Sequence, residues 1–477
     1  MTGTLETPLA RPRTLKRSMR VVGALLLTLS AITPASSVFV IVPAVFQQAG
    51  TGAFLSMATT AFLSLAVAYV YAELSSAYPI AGGEYSMIGR TLGPTAAFAV
   101  LGLTAIGNML APAVLALGAA TYIGALIPDL DPVAVGIAII AVTTLFGILH
   151  IRTNAWVTGV FLLLELLALA VLAVLGFSHI HRPVSDLVIH PLSLAGTSLH
   201  ATPLMAIGMS FAVSAFAYNG YGAAVYFAEE MHEAPRLVAR TILWALVITV
   251  ATELIPVTAV LMGAPDLKPL LASDSPFSYF VLALGGRTLN VAVSLGIAFA
   301  IINAVLATVL QNGRFFFSTG RDGTWHALIN DAFTRTHPRF NSPWVATLAS
   351  GASAAAMCFL GMQLLLVLTG TGIVLIYAGV CLGAVAGRRT GTTAHAPYRM
   401  PLFPLVPVAG LSALGFIMYA LWRDPDVGRR SLLANLAVIA ASIFYYRFVL
   451  LRRGAWVLRG PDDHAANIAE SDTLAPD

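Results

Sequence analysis

Charged residues are scarce in this sequence. Only 10% of its 477 residues are Asp, Glu, Lys or Arg, whereas 58% are hydrophobic and the mean hydropathy is +0.84. A soluble chain of this length would need far more charge to cover its surface, so the composition excludes a soluble globular protein. It indicates a polytopic membrane protein instead.

Cysteine and several functional motifs are also scarce or absent. The two cysteines, Cys358 and Cys381, lie in apolar runs, which is typical of small core residues rather than of disulfides or metal ligands. The sequence has no phosphate loop ending in Gly-Lys-Ser/Thr, no catalytic cluster within the apolar runs and no repeated filter sequence. These absences argue against an ATP-driven pump, an enzyme and a channel. Because the basic residues form no single patch, we expect no nucleic-acid partner, and we expect no cofactor or metal.

Apolar segments long enough to cross a bilayer recur along the chain. A spanning helix needs about 20 residues. We predict twelve of them, near residues 21–46, 53–73, 97–127, 133–150, 155–178, 202–228, 237–262, 288–313, 343–361, 363–386, 402–421 and 431–451. With both termini cytoplasmic, this topology places 20 of the 26 Lys and Arg residues on the cytoplasmic side, as the positive-inside rule requires. The prediction is an all-α, multi-pass protein of the cell membrane, with a basic tail at residues 1–20 and a disordered tail at residues 460–477.

A proline and two serines interrupt the first apolar segment. Pro34 has no backbone N–H, and the hydroxyl groups of Ser36 and Ser37 can bond the backbone in place of the helical ladder. We therefore predict that the helix unwinds over residues 33–39. Unwound backbone at membrane depth is stable only where it is buried in protein or lines a wet cavity, so this break is a candidate site.

The sixth apolar segment contains a second weak point. Two glycines and an asparagine disfavour helix within Phe216-Ala217-Tyr218-Asn219-Gly220-Tyr221-Gly222. Breaks at matching positions of two halves are typical of transporters built from inverted repeats, which bind substrate at mid-membrane between half-helices. The N–H groups that start a half-helix suit an anion and the carbonyls that end one suit a cation, so an amino acid fits this pair. The alternative is that each stretch only kinks its helix.

Three loop motifs resemble those of the amino acid, polyamine and organocation permeases. They are Tyr71-Ala72-Glu73-Leu74 with Tyr78-Pro79-Ile80-Ala81-Gly82-Gly83-Glu84-Tyr85 and Leu92-Gly93, then Ala228-Glu229-Glu230 with Ala234-Pro235-Arg236, and Arg314 with Arg321-Asp322-Gly323. The resemblance implies a LeuT-like fold, with a five-helix repeat at residues 21–178, an inverted repeat at residues 202–386 and two further helices at residues 402–451. Helices 1 and 6 are then discontinuous. The acids and arginines of the motifs form either ion pairs that close the cytoplasmic side or ordinary surface pairs.

The resemblance also implies a substrate site at the two breaks. In relatives the first break reads Gly-Ser-Gly and its N–H groups hold the substrate carboxylate, whereas this chain lacks both glycines and has less space there. On helix 6, backbone carbonyls accept the substrate amine. The predicted substrate-binding residues are Ala35, Ser36, Ser37, Val38, Phe216, Ala217, Tyr218, Asn219, Gly220 and Tyr221. Weaker candidates for lining the path are Asn108, Asn303, Thr308 and residues 369–372.

Two acidic residues lie within predicted helices. Glu165 is twelve residues from the cytoplasmic end of helix 5, which places it about 18 Å deep at 1.5 Å per residue. In proton-coupled relatives a lysine often occupies this position. Glu165 can bind a coupling proton, help to hold sodium, or bond a neighbouring helix for packing alone; we favour the proton because Asn303 and Thr308 are not obviously placed as sodium ligands. Glu253, followed by Pro256, is expected nearer the outer face, at a helix kink.

The combined prediction is a secondary active transporter. It moves an amino acid or related small amine across the cytoplasmic membrane by alternating access, coupled to protons. The expected partners are the small-molecule substrate, the coupling ion and membrane lipid, and the expected assembly is a monomer or dimer. The alternatives are a polyamine or organocation exchanger, a sodium-coupled carrier and, from a different class, an integral-membrane enzyme or channel.

Overall fold

The computed structural model describes residues 17, 19–124, 127, 129–149, 151–454 and 456–459, with residues 151–155 and 363 described by their backbone alone. Most of the predicted basic tail at residues 1–20, and all of the predicted disordered tail at residues 460–477, lie outside these ranges.

The described residues are mostly helical. In chain order the first helices are α1 (Val21–Ile32), α2 (Pro34–Ser36), α3 (Val42–Ala49), α4 (Ala53–Ala77), α5 (Glu84–Leu92), α6 (Pro94–Gly124), α7 (Pro132–Gly147), α8 (Ile151–Ser178), α9 (Val184–Ile189) and α10 (Leu204–Ala217). The following ones are α11 (Ala234–Gly263), α12 (Leu267–Ala272), α13 (Pro276–Arg321), α14 (Ala327–Phe333), α15 (Trp344–Met357), α16 (Met362–Thr390), α17 (Leu405–Arg423), α18 (Gly428–Tyr445) and α19 (Leu451–Arg453). Short 3₁₀ segments occupy Gly50–Gly52 and Tyr221–Glu230, and π-helical turns occupy Ser37–Ile41 and Tyr446–Leu450.

Eight helical segments in the described ranges are long and apolar enough to cross a membrane. They are Val21–Ala77, Pro94–Gly124, Trp156–Ser178, Ala234–Gly263, Pro276–Arg321, Leu364–Thr390, Leu405–Arg423 and Gly428–Arg453. The first of them is 57 residues long, well above the about 20 residues of one crossing, and α7 and α15 are shorter apolar helices. The chain is therefore a multi-pass, all-α membrane protein, as predicted, whereas the count of twelve spans stays a prediction.

The first helix break is narrower than predicted. Helix α1 ends at Ile32, and Thr33 alone adopts a left-handed conformation, with φ 50° and ψ 77°. Pro34 then starts α2, because the first position of a helix needs no N–H and the fixed φ of proline suits it. The chain is helical on both sides of one residue rather than unwound over residues 33–39, and the turn that follows is widened into a π-helix at Ser37–Ile41.

The second break lies where the sequence predicted it. Helix α10 ends at Ala217, a turn follows, and Gly220 has a φ of 119°, which favours glycine. From Tyr221 to Glu230 the chain is a tighter 3₁₀ helix. The described structure thus interrupts a helix at both stretches that the sequence singled out.

A short parallel bridge connects the chain before α1 to the chain after the second break. The Met19 N–H donates to the Glu230 carbonyl at 2.9 Å, and the His232 N–H donates to the Met19 carbonyl at 3.0 Å. These two bonds hold the start of α1 against the end of the Tyr221–Glu230 segment.

A small β-hairpin, which the sequence analysis did not predict, lies between α9 and α10. Strand β1 (Leu192–Ala195) pairs antiparallel with β2 (Ser198–Ala201). The Leu192 N–H donates to the Thr51 hydroxyl at 2.8 Å, so the hairpin caps the turn between α3 and α4. Gly50 at that turn contacts β1 so closely that a Cβ would lie 2.0 Å from the Leu192 carbonyl oxygen.

Candidate functional site

The two interrupted helices touch each other at their breaks. The Ser37 hydroxyl donates to the Ala217 carbonyl at 2.8 Å, which joins the first break to the end of α10. Gly220 lies against Ile32, where a Cβ would be 2.8 Å from Ile32 Cγ1. The contact requires a residue without a side chain at position 220, and it brings both breaks to the same level of the bundle.

A cavity of about 100 Å³ lies beside this contact. Of the predicted substrate-binding residues, the cavity is lined by Ser37, Phe216, Asn219, Gly220 and Tyr221. The others are buried close by but are not among its lining residues: Ala35, Ser36, Val38, Ala217 and Tyr218. The weaker candidates Asn108, Thr308 and Thr369 line the cavity from α6, α13 and α16, whereas Asn303 does not.

Tyrosines and one acid form the part of the cavity that the sequence analysis missed. Tyr71 on α4, Glu84 on α5, Tyr226 after the second break and Tyr377 on α16 all line it. The Tyr377 hydroxyl donates to Asn219 Oδ1 at 2.9 Å, which fixes the orientation of that predicted residue. Glu84 and Tyr71 belong to the loop motif after helix 2, which the sequence analysis connected with closing the cytoplasmic side and not with the cavity.

Glu165 is fully buried on α8 and faces the first break. Its carboxyl group lies near the backbone N–H of Ala35 and the side chain of Asn303, and neither of its oxygens makes a hydrogen bond within 3.5 Å to any described residue. The Ala35 N–H is one of the groups that the resemblance assigned to the substrate carboxylate, and it lies next to the Glu165 carboxyl group. Asn303 lies beside Glu165 after all, and its Oδ1 atom is buried without a hydrogen-bond partner among the described residues.

Glu253 on α11 lies next to the same break, and its expected position nearer the outer face stays a prediction. It faces the Ser37 hydroxyl, and the Tyr218 side chain and the Glu165 carboxyl group lie nearby. It is fully buried, and in the described part of the chain neither carboxyl oxygen is hydrogen-bonded. Two buried carboxyl groups thus flank the first break.

Buried ion pairs close one end of the bundle, which we call the acid–arginine end. Glu230 pairs with Arg314 at 3.0 Å and Glu229 with Arg321 at 2.8 Å, and every one of these side chains is at most 9% exposed. Glu73 pairs with Arg388 at 2.6 Å. Four residues of the motifs, Glu229, Glu230, Arg314 and Arg321, therefore form buried pairs rather than surface pairs. Because removing one partner would leave an uncompensated buried charge, these pairs hold their segments together more strongly than surface pairs do.

Asp322 connects three elements at the acid–arginine end. Its Oδ2 accepts from the Tyr85 hydroxyl at 2.8 Å, and its Oδ1 accepts from the Arg459 N–H at 3.1 Å. The Val457 N–H donates to its carbonyl oxygen at 3.3 Å. Residues 456–459, which we call the C-terminal strap, are thus fastened to the loop after α13. Burial raises the pKa of the Asp322 carboxyl to about 6, although the nearby Arg321 opposes the shift.

A second cavity, of about 680 Å³, lies away from the ion pairs. It is lined by residues of the C-terminal half of α3, among them Gln47 and Gln48, and by Asp274 and Asp424 at the ends of other helices. Phe39 and Tyr122, which also line it, are in contact with ring centroids 6.1 Å apart. The Tyr122 hydroxyl donates to the Phe39 carbonyl, which joins α6 to the π-helical turn at Ser37–Ile41.

The chain matches a known family across most of its length. The family model for amino acid permeases matches residues 20–445. The methylthioribose transporter of Bacillus subtilis (strain 168) is 24% identical over 467 residues, which cover 93% of this chain and 96% of that protein. The branched-chain amino acid permease BcaP of the same strain is 23% identical over 421 residues, covering 84% and 87%. The low-affinity putrescine importer PlaP of Escherichia coli (strain K12) is 21% identical over 298 residues, covering 62% and 65%.

These similarities decide the class of the protein. The matched relatives are named as transporters or permeases, so the chain is a transporter and not an enzyme. The resemblance to amino acid, polyamine and organocation permeases that the loop motifs indicated is confirmed. With the family model matching residues 20–445, the chain belongs to the amino acid permease family.

Proposed function

We propose that this protein is a secondary active transporter that moves an amino acid or a related small amine by alternating access, driven by protons. The observation that carries the proposal is the meeting of two interrupted helices at one buried cavity, with the Ser37 hydroxyl bonded to the Ala217 carbonyl. Many transporters expose backbone donors and acceptors to a charged substrate by breaking helices at a mid-membrane cavity.

In the proposed topology the chain crosses the cytoplasmic membrane twelve times. Two inverted five-helix repeats, at residues 21–178 and 202–386, precede two further helices at residues 402–451, and both termini are cytoplasmic. The acid–arginine end is then the cytoplasmic end, and its buried ion pairs are the closed inner gate. The larger cavity beside Gln47 and Gln48 is on the outer side in this topology. The arrangement is that of a carrier open or partly open to the outside.

The substrate contacts in this proposal come from both breaks. Ser37 from the first, and Phe216, Asn219, Gly220 and Tyr221 from the second, line the cavity. The other predicted residues are buried behind the lining residues and position the backbone of the two breaks. They are Ala35, Ser36, Val38, Ala217 and Tyr218. The carbonyl end of α10 suits a protonated amine, because the C-terminal end of a helix carries partial negative charge.

Glu165 is the proposed coupling residue. A buried carboxyl group without a hydrogen-bonded partner is unfavourable unless it takes up a proton or a cation. Ala35 lies next to Glu165, in the short helix that follows Thr33. A change in the charge of Glu165 therefore acts directly on this segment of the backbone. The sodium-coupled alternative is favoured by one observation, the unpartnered Asn303 Oδ1 beside Glu165, since hard cations prefer oxygen ligands.

Uptake into liposomes tests the function. The purified full-length protein, reconstituted with an unlabelled amino acid or amine inside, should show saturable counterflow of the labelled compound, and an inward proton gradient should drive accumulation. Methylthioribose, branched-chain amino acids and putrescine, which occur in the names of the relatives, are the first compounds to test. Ohmic conductance, or chemical conversion of the compound, would contradict the proposal.

A further inference from the structure

Glu84 contributes an acidic side chain to the wall of the cavity that lies beside the two breaks. It is the first residue of α5, it is 8% exposed, and it lines the cavity between Tyr71 and Tyr226. Among the described lining residues there is no other Asp or Glu, and no Lys, Arg or His. The wall of the cavity therefore contains one acid and no base.

The hydrogen bonds of Glu84 differ from those of the other buried acids in this region. The Tyr71 hydroxyl donates to its Oε1 at 3.0 Å, and the Tyr226 hydroxyl donates to its Oε2. Glu73, Glu229 and Glu230 each bind an arginine instead. A carboxylate can accept about four hydrogen bonds, so two tyrosines leave Glu84 able to accept a further donor. A paired cation stabilises a buried carboxylate. A cation in the cavity can reach Glu84 because Glu84 lines the cavity.

Three tyrosine rings surround the cavity next to Glu84. The ring centroids of Tyr71, Tyr221 and Tyr377 lie 5.9 to 6.0 Å apart in each pair. All three side chains are at most 2% exposed and all three line the cavity. The face of an aromatic ring attracts a cation, and the attraction is stronger where water is excluded. A carboxyl group beside several tyrosine rings is chemically suited to a protonated amine.

Building on the proposed transport function, we propose that the cavity selects an organic cation whose protonated amine binds Glu84 among the rings of Tyr71, Tyr221 and Tyr377. The substrate class is then a basic amino acid or an alkyl diamine. The single ammonium group of a neutral amino acid is balanced by its own carboxylate and, in the proposed function, binds at the end of α10, so Glu84 is left without a cation. An acidic amino acid adds a further negative charge to the cavity. The second polar group of the substrate then binds the backbone of the two breaks, at Ser37 and Asn219.

Ligand-dependent thermal stabilisation of the full-length protein in detergent measures this selectivity. The four compounds to compare are lysine, 1,4-diaminobutane, leucine and glutamate. Lysine or 1,4-diaminobutane should bind at least about tenfold more tightly than leucine, a difference of about 1.4 kcal/mol, and glutamate should not bind. In Glu84→Gln the advantage of the cationic compounds should disappear while the affinity for leucine is kept.

Two controls separate this inference from the proposed function. Asp331→Asn removes one acid from an exposed position on α14, far from the cavity lining, and should leave the preference unchanged. If Glu84→Gln does not fold, the relative affinities of the parent protein for the four compounds decide whether the inference holds. If leucine binds to the parent as tightly as lysine and 1,4-diaminobutane do, the inference is wrong but the transport proposal stands. The same holds if Glu84→Gln folds and keeps the preference for the cationic compounds. If none of the four compounds binds and liposomes show no uptake, both the inference and the transport proposal are wrong.

Discussion

Gly220 determines how closely the two interrupted helices approach each other. Its φ of 119° is a conformation that residues with a side chain rarely adopt, and a Cβ there would lie 2.8 Å from Ile32 Cγ1 and 3.0 Å from Ile32 Cα. Conformation and space therefore both exclude a larger residue. Because one of the two atoms is backbone, a rotation of the Ile32 side chain cannot relieve the contact.

We expect Gly220→Ala to lose uptake and to lower the stability of the protein. The unfavourable backbone conformation alone costs on the order of 1–3 kcal/mol, and the contact with Ile32 adds to it. The measurements are thermal unfolding in detergent and uptake in liposomes. The matched control is Gly296→Ala within α13, where a Cβ would meet nothing within 4 Å and alanine is the better helix former. Parent-like affinity and stability in Gly220→Ala would refute the assignment of this contact.

Local sequence signals identified the residues at the breaks but not the rest of the cavity. Proline, serine and glycine act on their own backbone, so Ser37 and Gly220 could be located from a few neighbouring letters. Glu84 and Tyr377 reach the cavity from α5 and α16, nearly 300 residues apart in the chain, and only the packing of the bundle brings them together. The motif that contains Glu84 was visible in the sequence, but the position of the Glu84 side chain in the cavity wall was not.

At the scale of elements, Asp322 fastens the C-terminal strap and α5 to the end of α13. Tyr85, Arg321 and Glu229 are the titratable groups that act on its carboxyl, and burial is the largest cause of its raised pKa, about 6. A raised carboxyl pKa in the folded state means that folding favours the protonated form. Its contribution to stability is therefore largest at low pH and is lost as the pH rises through about 6.

We expect the parent protein to lose more stability than Asp322→Asn between pH 4.5 and pH 7. Asparagine has no titratable group and keeps an acceptor for the Tyr85 hydroxyl, so the variant should lack this part of the pH dependence. Each tenfold change in proton affinity corresponds to about 1.4 kcal/mol. Thermal unfolding of both proteins across this pH range gives the difference. Equal slopes in the two proteins, or a parent that becomes more stable as the pH rises relative to the variant, would show that Asp322 does not titrate as described.

The sequence predicted the long membrane helices well but not the short elements between them. The long apolar runs mark helices such as α6 and α11 directly, because few other structures accommodate them in a membrane. The β-hairpin at residues 192–201 is short, lies outside those runs and depends on contacts with the turn at Gly50, which leave no signal in its own sequence. Thr33 lay within the predicted break because it precedes Pro34, and a proline disfavours the α conformation of the residue before it. Its left-handed conformation, with φ 50°, was not predicted.

At the scale of the whole molecule, the bundle places two acids of distant helices around one helix break. Glu165 faces Ala35 and Glu253 faces Ser37, two residues apart on the same segment. Counting residues along one helix predicted a depth for Glu165, but nothing in the sequence around Glu253 indicated that it lies beside the same segment. Depth along a helix is readable from sequence only if its tilt and neighbours are known, and both depend on the complete packing.

We expect Glu165→Gln to keep substrate exchange but to lose accumulation under a pH gradient. Glutamine preserves the shape of the side chain and cannot carry a proton, so substrate binding and the movement of the helices remain while the coupling is removed. Counterflow and proton-driven uptake in liposomes, measured on the same preparation, separate the two activities. Accumulation at the parent level in the variant would make Glu165 a packing residue. A requirement of the parent for sodium at fixed pH would replace the proton by sodium as the driving ion.

The bridge between Met19 and the chain around Met231 has a mechanical consequence. Helix α1 and the 3₁₀ segment Tyr221–Glu230 are joined at one end by the bonds of Met19 and at the other by the contact of Ile32 with Gly220. Because they are attached at both ends, we expect α1 and this segment to move as one unit. In the proposed alternating-access cycle, the Glu230–Arg314 ion pair holds this unit against α13, so opening of the proposed inner gate requires the pair to separate.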